Sequence, residues 1–191
     1  MEIRETKEHI DHASENKNKR TAVLIVVLAA ALAIIEMAGS EAQFTSMKSD
    51  IDASDLYNFY QAKTIRATVL RTAVENTGLG DSEPSASASP LLKQVAAWKK
   101  EADRLDSEPE TGQGRQQLLA RAQVVEKERD REMSSFRQFE MSAALMQLAI
   151  VAASASVITA IVWLELAGLV FGVGGIVLAA LGWLAPALLS F

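Results

Sequence analysis

Three long apolar runs stand out in a chain that is otherwise dense in charge. The first spans Thr21–Gly39, and the other two fill residues 141–164 and 166–190, with Glu165 the single charge between them. A run of 18 or more nearly uncharged apolar residues can cross a hydrocarbon core of roughly 30 Å as a helix. The pattern therefore predicts an all-α membrane protein with three transmembrane helices.

Residues 40–140, between the first and second runs, predict a helical section exposed to water. Gln43–Asn76 lacks Pro and Gly and repeats apolar residues at roughly helical intervals, which favours a long amphipathic helix continuous with the first span. Residues 77–89 (TGLGDSEPSASAS) are typical of a flexible linker. Ser89-Pro90 then supplies a cap and a first-turn proline for a second helix. A third helix begins near Arg115 and continues into the second span.

The third helix contains a segment, Glu126–Glu132, in which every position is charged. No face of such a segment can be buried in a dry core. Opposite charges recur at i, i+3, which supports a helix standing in water. We interpret the segment as a solvated stalk.

Residues 1–20 form a polar segment rather than part of a span. With the apolar run and Ala38-Gly39-Ser40 they resemble a secretory signal, but their length and their acidic content favour an uncleaved anchor. His9 and His12, with Glu5 nearby, could hold a metal on one helical face. Their order matches neither HExxH nor the Glu-x-x-His of di-iron proteins, so a solvated helix is favoured and no metal or cofactor is predicted.

The basic residues that flank the spans disagree about orientation. Four Lys or Arg lie in the fifteen residues before span one, against one in the fifteen after it, which places the N-terminus in the cytoplasm. Four more Lys or Arg residues lie in the fifteen residues before span two and predict a cytoplasmic middle section. The positive-inside rule, by which basic flanks stay in the cytoplasm, weakens for long loops, and the first span usually sets the orientation. We therefore favour the cytoplasmic N-terminus.

Spans two and three carry small residues at helical spacing. Helices associate in membranes by close backbone approach, because lipid tails are as apolar as leucine side chains. These positions therefore predict tight packing of the two spans against each other or against another subunit. They are Ala152, Ser156 and Ala160 on span two and Gly168, Gly172 and Gly175 on span three.

Two positions are candidates for function. Glu36 lies inside the first apolar run, where a carboxylate is costly and by default suggests a function, although a residue so near the end of the run could simply reach the headgroups. Lys63 and Arg66 share a helical face beside aromatic residues in YNFYQAKTIR. A helix-packing seam with solvated basic edges explains that pair equally well.

Several function classes are excluded by composition. The net charge of −5 argues against nucleic acid as a partner. Cysteine is absent, both histidines lie in the N-terminal tail, and no GxxxxGK[ST] or GxGxxG motif follows a strand. Nucleophilic catalysis needs a positioned base. We therefore expect a protein that is not an enzyme.

The stretches DASDLYNFYQAKTIRATVLRTA, SEPETGQGRQQL, ALMQLAIVAASASVITAIVWL and GLVFGVGGIVLAALGWLAP carry a family resemblance. The chain resembles, from about Met1 to Pro186, a bacterial family of inner-membrane proteins known only as a domain of unknown function. The resemblance implies a three-span protein of the bacterial inner membrane. It implies no activity and no catalytic residues.

Two hypotheses follow for function. The first is a membrane protein that forms homo-oligomers through long, coiled-coil-like helices and small-residue spans, and serves as a scaffold or as an accessory subunit of another membrane protein. The second is an oligomeric pore for an ion or small solute, with Glu36 lining the pathway, since rings of carboxylates are used by cation channels. In both, the lipid bilayer is the constant partner.

Overall fold

The computed structural model describes residues 2–79 and 89–186, with side chains from Lys19 onward. His9 and His12 thus lie outside the described side chains. Within these ranges the chain is all-helical and has no strand. It forms four helices: α1 (Glu2–Asn76), α2 (Pro90–Asp106), α3 (Arg115–Thr159) and α4 (Val162–Leu184).

Three of these helices, α1, α3 and α4, are long and apolar enough to cross a membrane, which confirms the predicted fold class. The chain divides into two compact units. The membrane unit comprises Met1–Ser46 and Asp130–Phe191, and the second unit comprises Met47–Arg129. Helices α1 and α3 contribute to both.

The core of the membrane unit is built at seven-residue intervals. Leu28, Ile35 and Ala42 point inward from α1, and Phe139 and Met146 meet them from α3. Seven-residue spacing keeps one face of each helix turned toward its neighbour, as in a coiled coil. Large apolar side chains on the outer faces are exposed, as expected of a surface that lipid covers.

The turn between α3 and α4 lies earlier than the sequence predicts. The apolar runs place it at Glu165, whereas α3 ends at Thr159 and the turn consists of Ala160 and Ile161. Ala160 has a φ of +57°, the left-handed conformation that commonly ends a helix. Of the expected spans 141–164 and 166–190, the structure moves the boundary between them to Thr159 and Val162, whereas the expected end at residue 190 lies outside the described residues.

The earlier turn has a physical reason. It places Glu165 in the first turn of α4, where the partial positive charge of a helix N-terminus favours a carboxylate. There the carboxylate accepts a hydrogen bond from Thr21 Oγ1 at 3.3 Å. If the turn lay at Glu165 itself, the carboxylate would not lie in the first turn of a helix and would lose its favourable interaction with the helix N-terminus.

The second unit packs parts of α1 and α3 against α2. Ser89 caps α2, its Oγ accepting from the Leu92 N–H at 3.4 Å, and Pro90 opens the helix as predicted. Asp106, at the end of α2, pairs with Arg71 on α1 and with Arg115 at the start of α3. One carboxylate thus ties the three helices of the unit together.

Candidate functional site

A polar groove on the membrane unit runs beside Glu36. The Gln147 amide on α3 donates to the Glu36 carboxylate on α1 across 3.5 Å, the outer limit for a hydrogen bond. The groove has a volume of about 430 Å³. Ser40, Gln43 and Glu140 add further polar groups to its lining, and aromatic and small apolar residues form its walls.

The groove could bind hydrogen-bond donors or a cation, because it offers carboxylate, amide and hydroxyl oxygens. Within the described chain its lining includes no Lys, Arg or His. Nor do the described residues contain any group of three or more His, Asp or Glu side chains that could hold a metal. Glu36 itself is exposed, so its own chain does not enclose it.

Glu36 lies near one end of the membrane-crossing helices. Ala38, only two residues further along α1, lines a neighbouring cavity together with Gly182 and Trp183 at the end of α4. Trp183 is exposed, and exposed tryptophans prefer the membrane–water interface. Two residues correspond to about 3 Å of helix rise, so Glu36 lies close to the level of that tryptophan.

Lys63 and Arg66 do not converge on a shared ligand site. Arg66 forms an exposed ion pair with Glu101 of α2 at 3.4 Å, and Lys63 is half-buried one turn earlier on α1. Exposed ion pairs contribute little to stability, because water screens both charges. The two side chains lie at the edge of the packed helices of the second unit.

Two of the packing positions predicted on span three lie directly against α3, and the third, Gly172, lies first against Leu28 of α1. Gly168, Gly172 and Gly175 are all buried in α4. A Cβ on Gly168 would lie 3.0 Å from the Ala149 carbonyl oxygen, and one on Gly175 would lie 3.0 Å from Met146 Cγ. Because glycine has no Cβ, the two helix backbones can approach closely at these positions.

The packing ridge of α3 differs in part from the predicted one. Ser156 is buried, and its hydroxyl donates to the Ala153 carbonyl oxygen at 2.7 Å. Ala152 is only half-buried, and Ala160 lies exposed in the turn beyond the helix. Ala149 and Ala153 face α4 instead. Ala160 cannot belong to the ridge because α3 ends before it, which the apolar run alone does not reveal.

A polar network in the second unit was not predicted from the sequence. The Tyr57 hydroxyl donates to Glu126 at 3.0 Å, and Arg129 bonds Asp50 at 3.1 Å and Glu126 at 3.5 Å. The charged segment of α3 therefore contacts α1 as well as water. Tyr57 and Asp50 are seven residues apart on one side of α1, and this spacing is the sequence feature that could have predicted a shared partner helix.

The network changes the acidity of its tyrosine. Its hydrogen bond to the Glu126 carboxylate raises the pKa of Tyr57, and partial burial and the negative charge of Glu126 act in the same direction. The positive charge of Arg129 opposes the rise. If Tyr57 were ionised, its oxygen could no longer donate a hydrogen bond, and its negative charge would face the Glu126 carboxylate.

Comparison with known proteins identifies a family but no activity. A family model described as "Domain of unknown function (DUF4337)" matches residues 17–185, which is most of the chain. None of the curated proteins and none of the solved structures compared with the chain matches it.

Proposed function

The chain belongs to the DUF4337 family of domains of unknown function, and we propose that it is a non-enzymatic, self-associating membrane protein that acts as a scaffold or accessory subunit. As part of this proposal, it resides in the bacterial inner membrane with its N-terminus in the cytoplasm. The basic residues before the first span, among them Lys19 and Arg20, support that orientation.

One observation carries the proposal: large apolar side chains are exposed on α1 in the second unit. Met47, Ile51, Ile65 and Val69 are each between 58% and 65% exposed. They lie outside the three apolar spans, among charged residues, where lipid chains do not cover them. Exposed apolar patches on such surfaces mark protein interaction sites.

The direct test is the mass of the protein in mild detergent. Size-exclusion chromatography with light scattering, or native mass spectrometry, is expected to find more than one copy per particle. A monomer that co-purifies with no other protein would contradict the proposal. Removal of the exposed apolar residues by Ile51→Ser with Ile65→Ser should lower the mass, whereas Asp52→Ser with Arg66→Ser, at exposed polar positions, should not.

A pore is the second candidate, and the exposure of Glu36 favours it. A carboxylate in an apolar helix that its own chain leaves uncovered could face identical carboxylates in an oligomer. The test is cation flux into proteoliposomes with verified insertion. The pore hypothesis expects Glu36→Gln to reduce flux and Glu41→Gln, another exposed glutamate of α1, to leave it unchanged. Absence of flux with the unmodified protein would end it.

A further inference from the structure

The second cavity of the membrane unit, the one that Trp183 lines, contains charged groups of both signs. It has a volume of about 390 Å³ and lies between α1, α3 and α4. This volume falls within the range of small-molecule sites, about 300–1,000 Å³. Its charged groups are Arg131 and Glu132 of α3 and Glu41 of α1. We call it the interface cavity.

The charges of the interface cavity do not neutralise one another. Among the residues that the structure describes, Arg131, Glu132 and Glu41 have no ion pair and no side-chain hydrogen bond. Arg131 and Glu132 are successive residues, and such side chains do not face each other on a helix. They diverge by about 100° around the helix axis. The cavity thus holds a cation and a carboxylate that a ligand can pair separately.

A buried hydroxyl lies one turn after Arg131 on the same face of α3. Ser135 is only 7% exposed, and it lines the cavity. Its neighbour Ser134 donates its hydroxyl to the Asp130 carbonyl oxygen at 2.9 Å. Within the described part of the chain the Ser135 hydroxyl has no partner. Buried polar groups in proteins are nearly always hydrogen-bonded, so a ligand in the cavity is the partner that this hydroxyl lacks.

The interface cavity lies where the apolar spans meet charged segments. Ala38 lies at the end of the apolar run of α1, and Arg131 belongs to the charged stretch before the apolar run of α3. Trp183 lines the cavity although it is 81% exposed, so it lies at the rim. Exposed tryptophans prefer the level of the lipid headgroups. The charged groups of the cavity therefore lie at the depth of the headgroups of a bilayer.

The balance of charges selects the class of lipid. Sites for anionic headgroups are clusters of basic residues, whereas one arginine here shares the cavity with two carboxylates. A zwitterionic headgroup meets a partner at both ends, because a guanidinium binds phosphate through paired N–H groups and a carboxylate binds an ammonium. A primary ammonium has three N–H donors, and a trimethylated one has none. The cavity therefore favours phosphate joined to a primary ammonium.

We propose that the interface cavity binds the headgroup of a phospholipid with a primary ammonium, as in phosphatidylethanolamine. Arg131 and the Ser135 hydroxyl bind the phosphate, and the Glu132 carboxylate accepts from the ammonium. Glu132 is half-buried whereas Glu41 is exposed, so the ammonium is assigned to Glu132. This inference does not depend on self-association, because every group that it uses belongs to one copy of the chain.

Native mass spectrometry of the delipidated full-length protein tests the site. Phosphatidylethanolamine, phosphatidylcholine and phosphatidylglycerol with identical acyl chains are titrated separately, and the number of lipids bound per copy is measured. We expect several-fold tighter binding of phosphatidylethanolamine than of the other two. Equal binding of the three would overturn the proposal. Displacement by free phosphoethanolamine at the concentration of the lipid would also overturn it, since the site would then serve a soluble ligand.

Substitutions assign the two ends of the headgroup. Arg131→Gln should weaken binding of phosphatidylethanolamine and phosphatidylcholine alike, because both carry the phosphate. Glu132→Gln should instead abolish the preference between these two lipids, because only the primary ammonium donates to Glu132. A purely structural role of either residue would not separate the lipids in this way. If both variants bind the two lipids as the unmodified protein does, the assignment is wrong.

The buried hydroxyl is tested by Ser135→Ala. The substitution removes a group that bonds no described protein atom, so the thermal unfolding temperature should stay the same or rise. Binding of both zwitterionic lipids should nevertheless fall, because the phosphate loses a donor. Unchanged lipid binding would contradict the role of Ser135 as a ligand of the phosphate.

Two exposed residues of α3 near its apolar span are the matched controls. Arg137 and Glu140 lie outside the lining of the interface cavity, and replacing either by Gln changes the charge near the bilayer as much as the test variants do. Lipid binding should be unchanged in both. A loss in Arg137→Gln as large as in Arg131→Gln would show that lipids are attracted by the surface charge in general, and this would overturn the site.

Discussion

Gly168 on α4 lies so close to Ala149 on α3 that a Cβ there would come within 3.0 Å of the alanine carbonyl oxygen. The same Cβ would lie 3.1 Å from the Ala153 backbone nitrogen. Backbone atoms of a helix cannot rotate away as a side-chain tip can. We therefore expect Gly168→Ala to push the helices apart and to destabilise the membrane unit by about 1–3 kcal/mol, the usual range for overpacking.

Gly174 is the matched control for this substitution, on the same helix. A Cβ there would lie 3.7 Å from Leu145 Cδ1, an ordinary contact. Gly174→Ala should be neutral or slightly stabilising, because alanine favours a helix over glycine. Thermal unfolding in detergent, followed by circular dichroism, compares the two variants. Equal midpoints would show that the close approach at Gly168 does not matter.

Ala160 offers the opposite case, a position where glycine should improve stability. Its φ of +57° costs an L-residue roughly 1–2 kcal/mol. Glycine adopts this conformation without strain but loses more chain entropy on folding, so the net gain for Ala160→Gly should be about 1 kcal/mol. Ala152→Gly, in the interior of α3, should instead destabilise. A lower unfolding temperature for Ala160→Gly would contradict the left-handed turn.

Tyr57 should titrate at higher pH than an ordinary tyrosine, because it donates to Glu126. A raised pKa means that the interaction stabilises the fold at every pH below the ordinary value of about 10. That stabilisation is lost as the pH rises through the folded-state pKa. Phenolate absorbance followed against pH measures the ionisation of Tyr57. The measurement uses a Tyr60→Phe background, since the chain has two tyrosines.

The carboxylate is identified by removing it. Glu126→Gln should move the Tyr57 titration down toward its ordinary range, because a neutral amide is a weaker acceptor and carries no charge. Glu128→Gln, at an exposed position of the same helix, should leave the titration where it was. A midpoint that does not respond to Glu126→Gln would mean that this hydrogen bond does not form in solution.

The excised second unit, residues 47–129, should be poorly stable. Among its described residues, the buried apolar side chains are two valines, two leucines and four alanines. Alanine adds little buried area, and helices in water gain most of their stability from packing an apolar face. The fragment should therefore melt over a broad range, without a cooperative transition. A sharp monomeric unfolding transition would show that its polar network and ion pairs contribute more than we expect.

Local signals made part of the fold predictable. Ser89-Pro90 predicts the start of α2 because a capping hydroxyl and a proline act on the first turn itself. Arg115 begins α3 just after Gly114, as the turn residues before it predict. The three spans follow from length and hydropathy alone. Each of these signals acts within a few residues of the structure it determines.

What the sequence did not predict depends on distant contacts. The apolar residues continue unchanged past Thr159, so the end of α3 is set by how α4 packs back onto it. Gln147 is 111 residues from Glu36, and no local pattern pairs them. The same holds for Tyr57 and Glu126, because a run of charges looks the same whether or not another helix lies beside it.

The hydrogen bond from Thr21 to Glu165 has a consequence for the order of events during biosynthesis. The two residues are 144 positions apart, so the first span is made long before the last one leaves the ribosome. Until then Thr21 lacks this acceptor, and Ala149 and Ala153 of α3 have no α4 to pack against. The membrane unit is therefore completed only once α4 has been synthesised, and a nascent chain arrested before residue 162 would present an unfinished surface to the quality-control machinery of the cell.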